Sequence, residues 1–501
     1  MPDPQNPPPM AQAEQHAFER RWSAMAVLLM ASFMNMIDVT IVNVALPGMQ
    51  KNLGASESGI EWVVAGFILA FALGLLPFGR YGDIIGKKKI FLIGVTSFSI
   101  ASLLCGMAAN VEMLIAARVI QGIAGAVMTP QVLALAQIMF PPRERAVAFS
   151  LFGLTAGLAS VAGPVTGGLL IHADLWGLDW RPIFLINVPI GIVCVLAGRA
   201  LIPDVKGNPD LRNDWVGIGL AAVATFVLIF PLIEGRGFGW PAWSFAMMAS
   251  FVPVTALFVW WERRQNARGA AELVPLGLMR NRNFVVGSLG LMVFFSAMPG
   301  FFLILALFLQ SGYQLDALHS GLTTIPFPIG VLVASVITGR LGGKAPKLRI
   351  LLGSAVLIVA ALLLRHVVDG VGERILSTDF ILPLLLGGVG TGITISPLFQ
   401  TALAGVPPRD AGSGSGALQS IQQIGGAFGV AIISQIFFSL LAGGMAVGAA
   451  SHEAFRSAFE TALLYNIACY LLVAISAFFL DNPPVQAPQH GPARPPQPAM
   501  E

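Results

Sequence analysis

"GRYGDIIGKKK", residues 79–89, separates two long apolar stretches. Three glycines, an aspartate and a run of lysines crowd into what reads as a short loop. In a chain this apolar, such a cluster marks a sharp turn between two membrane-crossing segments. The whole chain has 501 residues, 55% of them hydrophobic and 11% charged. Soluble domains carry about 25% charged residues, and the mean hydropathy of +0.76 points the same way. The composition describes a polytopic membrane protein and excludes a globular enzyme with one long core. Cys105, Cys194 and Cys469 fall inside apolar stretches without CxxC or Cys/His spacing. They read as small buried hydrophobes, and no metal site is expected.

A hydrocarbon core about 30 Å thick needs roughly 20 apolar residues per helix. That ruler picks out fourteen spans, near 22–47, 59–79, 88–109, 111–139, 145–171, 182–202, 214–235, 241–262, 283–309, 317–340, 347–366, 378–402, 412–441 and 458–480. No segment shows the alternating polarity of β-barrel strands. With the N-terminus inside, 22 of the 29 lysines and arginines fall on the cytoplasmic side, six fall outside and Arg118 lies within a span. Positive charge accumulates on the cytoplasmic side of membrane proteins, so both termini are expected there. The basic loops report topology, and no nucleic-acid partner is expected. Residues 1–21 are polar and Pro-rich without the apolar core of a cleaved signal. The tail after Asp481 is Pro-rich and expected to be disordered.

The stretch "GRYGDIIG" (79–86) follows the second span, and "GRLGGKAP" (339–346) follows the tenth. Both open Gly-Arg, place Gly fourth and end an outward-to-inward helix. With 214–235 and 241–262 set aside, the chain divides into two sets of six spans. The expected units are a tail at 1–21, a six-helix half at 22–203, a linker with two additional spans at 204–280, a second six-helix half at 281–481 and a tail at 482–501. Two related halves are a common transporter plan, with the substrate site between them near the midplane.

The 79–89 stretch resembles the loop motif of the major facilitator superfamily, Gly-x-Leu-x-Asp-x-x-Gly-Arg-Lys. Gly79, Asp83, Gly86, Lys87 and Lys88 match it, with Tyr81 in place of the leucine. "RVIQGIAGA" (118–126) resembles the motif that carries an intramembrane arginine, and "GLASVAGPVTGG" (157–168) the antiporter motif around Gly-Pro. "IDVTIVNVALP" (37–47) and "WRPIFLINVPIG" (180–191) resemble the fourteen-helix drug:proton antiporters, the EmrB/QacA subfamily. The fold this implies is an all-α integral membrane protein of the major facilitator type, two six-helix halves plus two extra linking helices.

Each motif has a physical reading of its own. Gly79, Gly82 and Gly86 allow close backbone approach and unusual dihedrals. The resemblance implies that Asp83 meets the N-terminal end of the helix opening the fourth span of the other half, taken to start near Gly412. A carboxylate is favoured there by the helix dipole and free N–H groups. Such a contact would latch the cytoplasmic side, with the lysines, or Arg143 and Arg145, competing for Asp83 when it opens. The plainer reading is a turn with positive anchors. In the repeat Gly343 replaces the aspartate, so a second latch is not expected.

Asp38 and Arg118 are the only ionisable residues deep in any expected span. Each costs about 2.5–3.5 kcal/mol at a helix centre, which demands a partner or a function. Their depths from the outer helix ends are roughly 15 and 10 Å, so the two can meet. Asn35 shares a face with Asp38, and Gln121 with Arg118. The sharper reading makes Asp38 the proton carrier and Arg118 its tuner; the plainer one is a static ion pair.

In the fifth span Gly153, Gly157, Gly163 and Gly167 form two GxxxG spacings, with Pro164 and Gly168 alongside. Small residues let helices approach, and proline bends the chain. The resemblance links this bend to antiport, while helix packing explains the glycines equally well. Gln419, Gln422 and Gln423 share a face of the thirteenth span, where the family often has an arginine at the position of Gln422. Together with Asn35, Gln121 and Asn187, Gln419 and Gln422 are candidates for lining a substrate cavity.

The function this implies is proton-coupled export of amphipathic, often cationic drugs or toxic compounds by alternating access, with the proton as coupling ion and no cofactor. A narrow exporter of one metabolite, antibiotic or lipid is the close alternative. No P-loop is present, and the six histidines are too scattered for a membrane enzyme. A nutrient symporter and a non-transporting sensor remain as lesser alternatives. Expected partners are small amphipathic molecules and the bilayer of a bacterial cytoplasmic membrane. The resemblance also admits a periplasmic adaptor, which no residue demonstrates.

Overall fold

The computed structural model describes residues 20–208, 211–235, 237–315, 317–341, 345–372, 375–446 and 451–481. Of the expected tails, 1–19 and 482–501 lie outside the described residues, as does Gly343, whereas Arg20 and Arg21 are described and Arg21 opens the first helix. With no water in a bilayer core, each backbone N–H must find its partner inside its own segment, and helices do this. The first half contains α1 (Arg21–Leu53), α2 (Glu57–Ile85), α3 (Lys87–Gly106), α4 (Val111–Met139), α5 (Pro142–Ala173) and α6 (Asn187–Leu201), the last preceded by a single turn at Pro182–Leu185. The additional pair is α7 (Trp215–Glu234) and α8 (Ala242–Ala267). The second half contains α9 (Arg282–Leu307), α10 (Ala317–Thr324), α11 (Pro326–Leu341), α12 (Pro346–Gly370), α13 (Ile381–Leu403), α14 (Ala411–Ala446) and α15 (Ser451–Phe479).

Polar residues set the helix ends. Ser56 accepts from Gly59 N–H at 3.1 Å, Asn110 from Met113 N–H at 2.8 Å and Asn281 from Phe284 N–H at 3.2 Å. Each satisfies a donor that the first turn leaves unpaired. Gly54, with φ of 59°, closes α1 in the left-handed region.

Among the described residues, 13 helices are long and apolar enough to cross a membrane. The span expected at 317–340 is present but divided into α10 and α11 at Ile325. Pro326 disfavours helical geometry at the residue before it, and neither Pro326 nor Pro328 offers an N–H.

The stretch that read as a loop is not one. α2 runs to Ile85 and α3 starts at Lys87. Gly79, Gly82 and Asp83 are therefore helical, and the turn is Gly86 alone, with φ of 114° and ψ of 130°. Only glycine adopts that geometry without strain. The turn is tied to the connection that follows α6, through a backbone bridge between Gly86 and Lys206 and a bond from Asn208 N–H to the Asp83 carbonyl at 2.8 Å.

The halves meet along two seams. α2 packs on α14, and α5 packs on α11 and α13. α7 lies against both α2 and α14. Its Ile229 is buried with Leu69 and Ala72 of α2, and Ile424 and Ala427 of α14 pack against the same cluster. Trp240, just before α8, donates to Gln435 of α14 at 3.2 Å. α8 packs on the outer side, chiefly against α7. The additional pair thus bridges the halves as well as joining them in sequence.

Candidate functional site

Two polar constellations stand out in this apolar bundle. The first is inside the first half. Asp38 of α1 and Arg118 of α4 are 0% and 1% exposed. Arg118 Nη1 donates to Asp38 Oδ2. Gln121 Nε2 and Asn187 Nδ2 both donate to Asp38 Oδ1 at 2.9 Å. Three donors from two other helices therefore converge on one carboxylate.

Arg118 has further partners. Its Nη1 reaches Gln121 Oε1 at 2.7 Å and its Nε the Val63 carbonyl at 3.0 Å. Its guanidinium lies 4.1 Å from the Phe67 ring centroid and 5.7 Å from that of Phe184. A cation over an aromatic face is stabilised by the ring quadrupole. Ser102 of α3 accepts from Asn187 at 3.0 Å and from Gln121 at 3.2 Å, and donates to the Phe184 carbonyl at 2.9 Å. Cys105 approaches Gln121 Oε1 at 3.4 Å.

This arrangement has a chemical consequence. Three donors occupy most of the acceptor positions of the Asp38 carboxylate, so a proton bound there would compete with them and would remove the charge that holds Arg118. If the pair opened, Arg118 would still have the Gln121 and Val63 oxygens and the Phe67 face. These would offset part of the cost of a buried guanidinium that has lost its counter-charge.

Gln121 and Asn187 are 0% exposed and bound to Asp38, so in this conformation neither lines open space. Asn35 is buried but stands apart from the network; its Oδ1 has no hydrogen-bond partner and faces Gly125 of α4. Gln419 of α14 donates to the Thr129 carbonyl of α4 at 3.2 Å, across the interface between halves. Gln422 is also buried, with an unpaired Nε2.

The second constellation joins the halves at the Gly86 end of the bundle. Asp83 Oδ1 accepts from Gly412 N–H at 2.8 Å, and Oδ2 accepts from Ser413 N–H at 2.7 Å and Ser413 Oγ at 2.8 Å. These are first-turn donors of α14, where a carboxylate complements unpaired N–H groups and the dipole. Gly412 opens the fifth helix of its half, not the fourth. Lys87 does not wait for the contact to open: its Nζ already lies 2.8 Å from Asp83 Oδ1. Lys88 instead donates to the Arg199 carbonyl at 2.9 Å. Arg145 is also engaged elsewhere, with the Phe140 carbonyl at 2.9 Å, and burial pushes its pKa down. The Arg143 side chain lies outside the described residues.

Gly79 permits the approach, since a Cβ there would overlap the Gly412 carbonyl. Arg80, readable in sequence only as a positive anchor, is 4% exposed and pairs across the same interface with Asp410 at 3.8 Å.

The α5 glycines serve two partners. A Cβ on Gly153 would meet Ile395 of α13 at 3.0 Å, and one on Gly157 would sit 3.8 Å from Pro328 of α11. A Cβ on Gly163 would overlap Thr40 of α1, and one on Gly167 would meet Ile41 at 2.9 Å. The first GxxxG pair faces the other half, and the second faces α1. Thr40 also donates to the Ala159 carbonyl at 3.0 Å. α5 runs unbroken through Pro164, and a Cβ on Gly168 would meet nothing within 4 Å.

A sequence profile described as the Major Facilitator Superfamily matches residues 28–430. A probable actinorhodin transporter of Streptomyces coelicolor is 40% identical over 91% of this chain and 78% of its own length. The puromycin resistance protein pur8 of Streptomyces alboniger is 30% identical over 93% of each chain. The tetracenomycin C resistance and export protein of Streptomyces glaucescens is 29% identical over 84% of this chain and 76% of its own. In fold, the human organic anion transporter MFSD10 (TETRAN) superposes with a TM-score of 0.61, covering 91% of this chain and 99% of that one at 16% identity.

Proposed function

The chain belongs to the Major Facilitator Superfamily, and from that membership we propose that it exports drug-like amphipathic compounds in exchange for protons. The finer placement we propose is the fourteen-helix drug:proton antiporter subfamily, in a bacterial cytoplasmic membrane with both termini inside. Relatives named for antibiotic export or resistance support the substrate class. The observation that carries the coupling is the Asp38–Arg118 pair, fully buried yet supplied with alternative partners for the arginine.

Asp38 exchanges a proton for Arg118 as α1 and α4 shift, and the Asp83 contact holds the cytoplasmic side closed meanwhile. Substrate and proton then use the interface between halves in turn. A narrow exporter of one metabolite, antibiotic or lipid is the second reading, favoured because the 40% identical relative is named for one compound.

Flux of dyes and antibiotics into proteoliposomes under an imposed pH gradient tests the proposal. Asp38→Asn is expected to lower gradient-driven flux by about two orders of magnitude, the low end of what a positioned proton-transfer group contributes, while passive exchange survives. Equal gradient-driven flux in both proteins would remove Asp38 from the coupling and leave a static ion pair.

A further inference from the structure

Gln137 lies in the last turn of α4 and is 4% exposed. Its Nε2 donates to two carbonyls of the other half, Leu403 at 2.9 Å and Val406 at 3.1 Å. Leu403 is the last residue of α13, and Val406 lies in the turn that leads to α14. Carbonyls at a helix C-terminus lack intrahelical donors and carry the negative end of the dipole. The acceptor atom of the same side chain, Oε1, has no hydrogen-bond partner. Both partners are carbonyls, which fixes the orientation of the amide, since a flipped group would set oxygen against oxygen.

The α13–α14 turn is thus gripped from both poles by the first half. Asp83 of α2 supplies an acceptor to the N–H groups that open α14, and Gln137 of α4 supplies a donor to the carbonyls that close α13. We propose that Gln137 is a second gate residue, a neutral clasp that works beside the charged one at Asp83. The proposal rests on the alternating-access reading above and adds a positioning residue to it. The charged clasp is open to competition, because Lys87 shares the Asp83 carboxylate. The neutral clasp is insensitive to that competition and to salt. It sets how far the gate stays shut when Asp83 is neutralised.

Spin labels at Lys89 and Ala404, both exposed and on opposite halves at this end of the bundle, report the gate. Distances are measured in the full chain in nanodiscs, at acidic and alkaline pH, for wild type, Asp83→Asn, Gln137→Leu and Gln137→Glu. Gln137→Leu is expected to enlarge the long-distance population several-fold, with the same pH dependence as wild type. Gln137→Glu is expected to add a new, reversible dependence. Its protonated acid donates its single O–H to one of the two carbonyls and keeps the gate closed, while its carboxylate repels both and opens it. Reversibility within one sample separates this from misfolding. Wild-type distances for both Gln137 variants at every pH, with Asp83→Asn open, would overturn the role of Gln137 alone. Closed distances for all variants, Asp83→Asn included, would overturn the gate reading on which it rests.

Discussion

The two halves share a frame and differ in chemistry. In each, the fifth helix places one GxxxG pair against the other half and a second against the first helix of its own half. In α5 these are Gly153 with Gly157, then Gly163 with Gly167. In α14, Gly412 and Gly416 lie against Gly79 and Leu75 of α2, and Gly425 and Gly429 against Met292 and Ser296 of α9. The buried polar groups diverge. The first half holds a charged pair between its first and fourth helices, Asp38 with Arg118, while the second half holds neutral groups between its first and sixth. There Ser296 bonds the Tyr465 hydroxyl, and Asn466 donates to the Ala297 carbonyl at 2.8 Å. Close backbone contacts at glycine set the helix geometry without dictating charge, so the halves can share their packing while differing in buried charge.

The largest test of this asymmetry is removal of the cation. Arg118→Met strands a buried carboxylate and is expected to cost about 3–5 kcal/mol, read as a lowered unfolding temperature in detergent. Asp38→Asn added to it should recover most of the loss. A double variant as unstable as the single would show that Arg118 matters for its packing on Phe67 rather than for its charge.

The glycine contacts come next. Gly429→Ala sets a methyl against the Ser296 backbone, whereas Gly163→Ala sets one against the Thr40 side chain. Each is expected to cost about 1–3 kcal/mol as overpacking. Thr40→Ala removes the nearest atom, the Thr40 hydroxyl, and should recover part of the loss in Gly163→Ala, since the Thr40 Cβ at 2.8 Å and the Ile41 N at 3.0 Å remain. No single truncation should relieve Gly429→Ala. Rescue in both halves would mean that the second half also adjusts through side chains.

The smallest effect belongs to the neutral cluster. Ser296→Ala is expected to lose about 1 kcal/mol, one hydrogen bond, with gradient-driven flux unchanged. A loss of flux comparable to that of Asp38→Asn would break the division of labour between the halves.

Sequence disclosed what is expensive in a membrane. Asp38 and Arg118 were legible because each charge needs a reason to lie in hydrocarbon, and helix pitch put them within reach of each other. Ser102 and Cys105 were not, since small polar residues are tolerated in any span and only the fold brings them to Gln121 and Asn187. Arg80 looked like its basic neighbours because its partner, Asp410, lies 330 residues away. The division of the tenth span at Ile325 had a signal in Pro326 and Pro328 that a hydropathy ruler overlooks. The turn at Gly86 was misjudged for a similar reason: three glycines suggest a loop, yet two of them thin a helix for close packing.

Gly86 is a joint without play. A loop of several residues would absorb movement of α2 before α3 felt it, whereas a one-residue turn absorbs almost none. Through the Lys206 bridge and the Asn208–Asp83 bond, the chain leading to α7 is fastened to the same joint. If Asp83 leaves α14, as the proposed gate requires, α2, α3 and that connection would turn together as a lever. The movement would then reach the additional helices, where α7 lies against both α2 and α14.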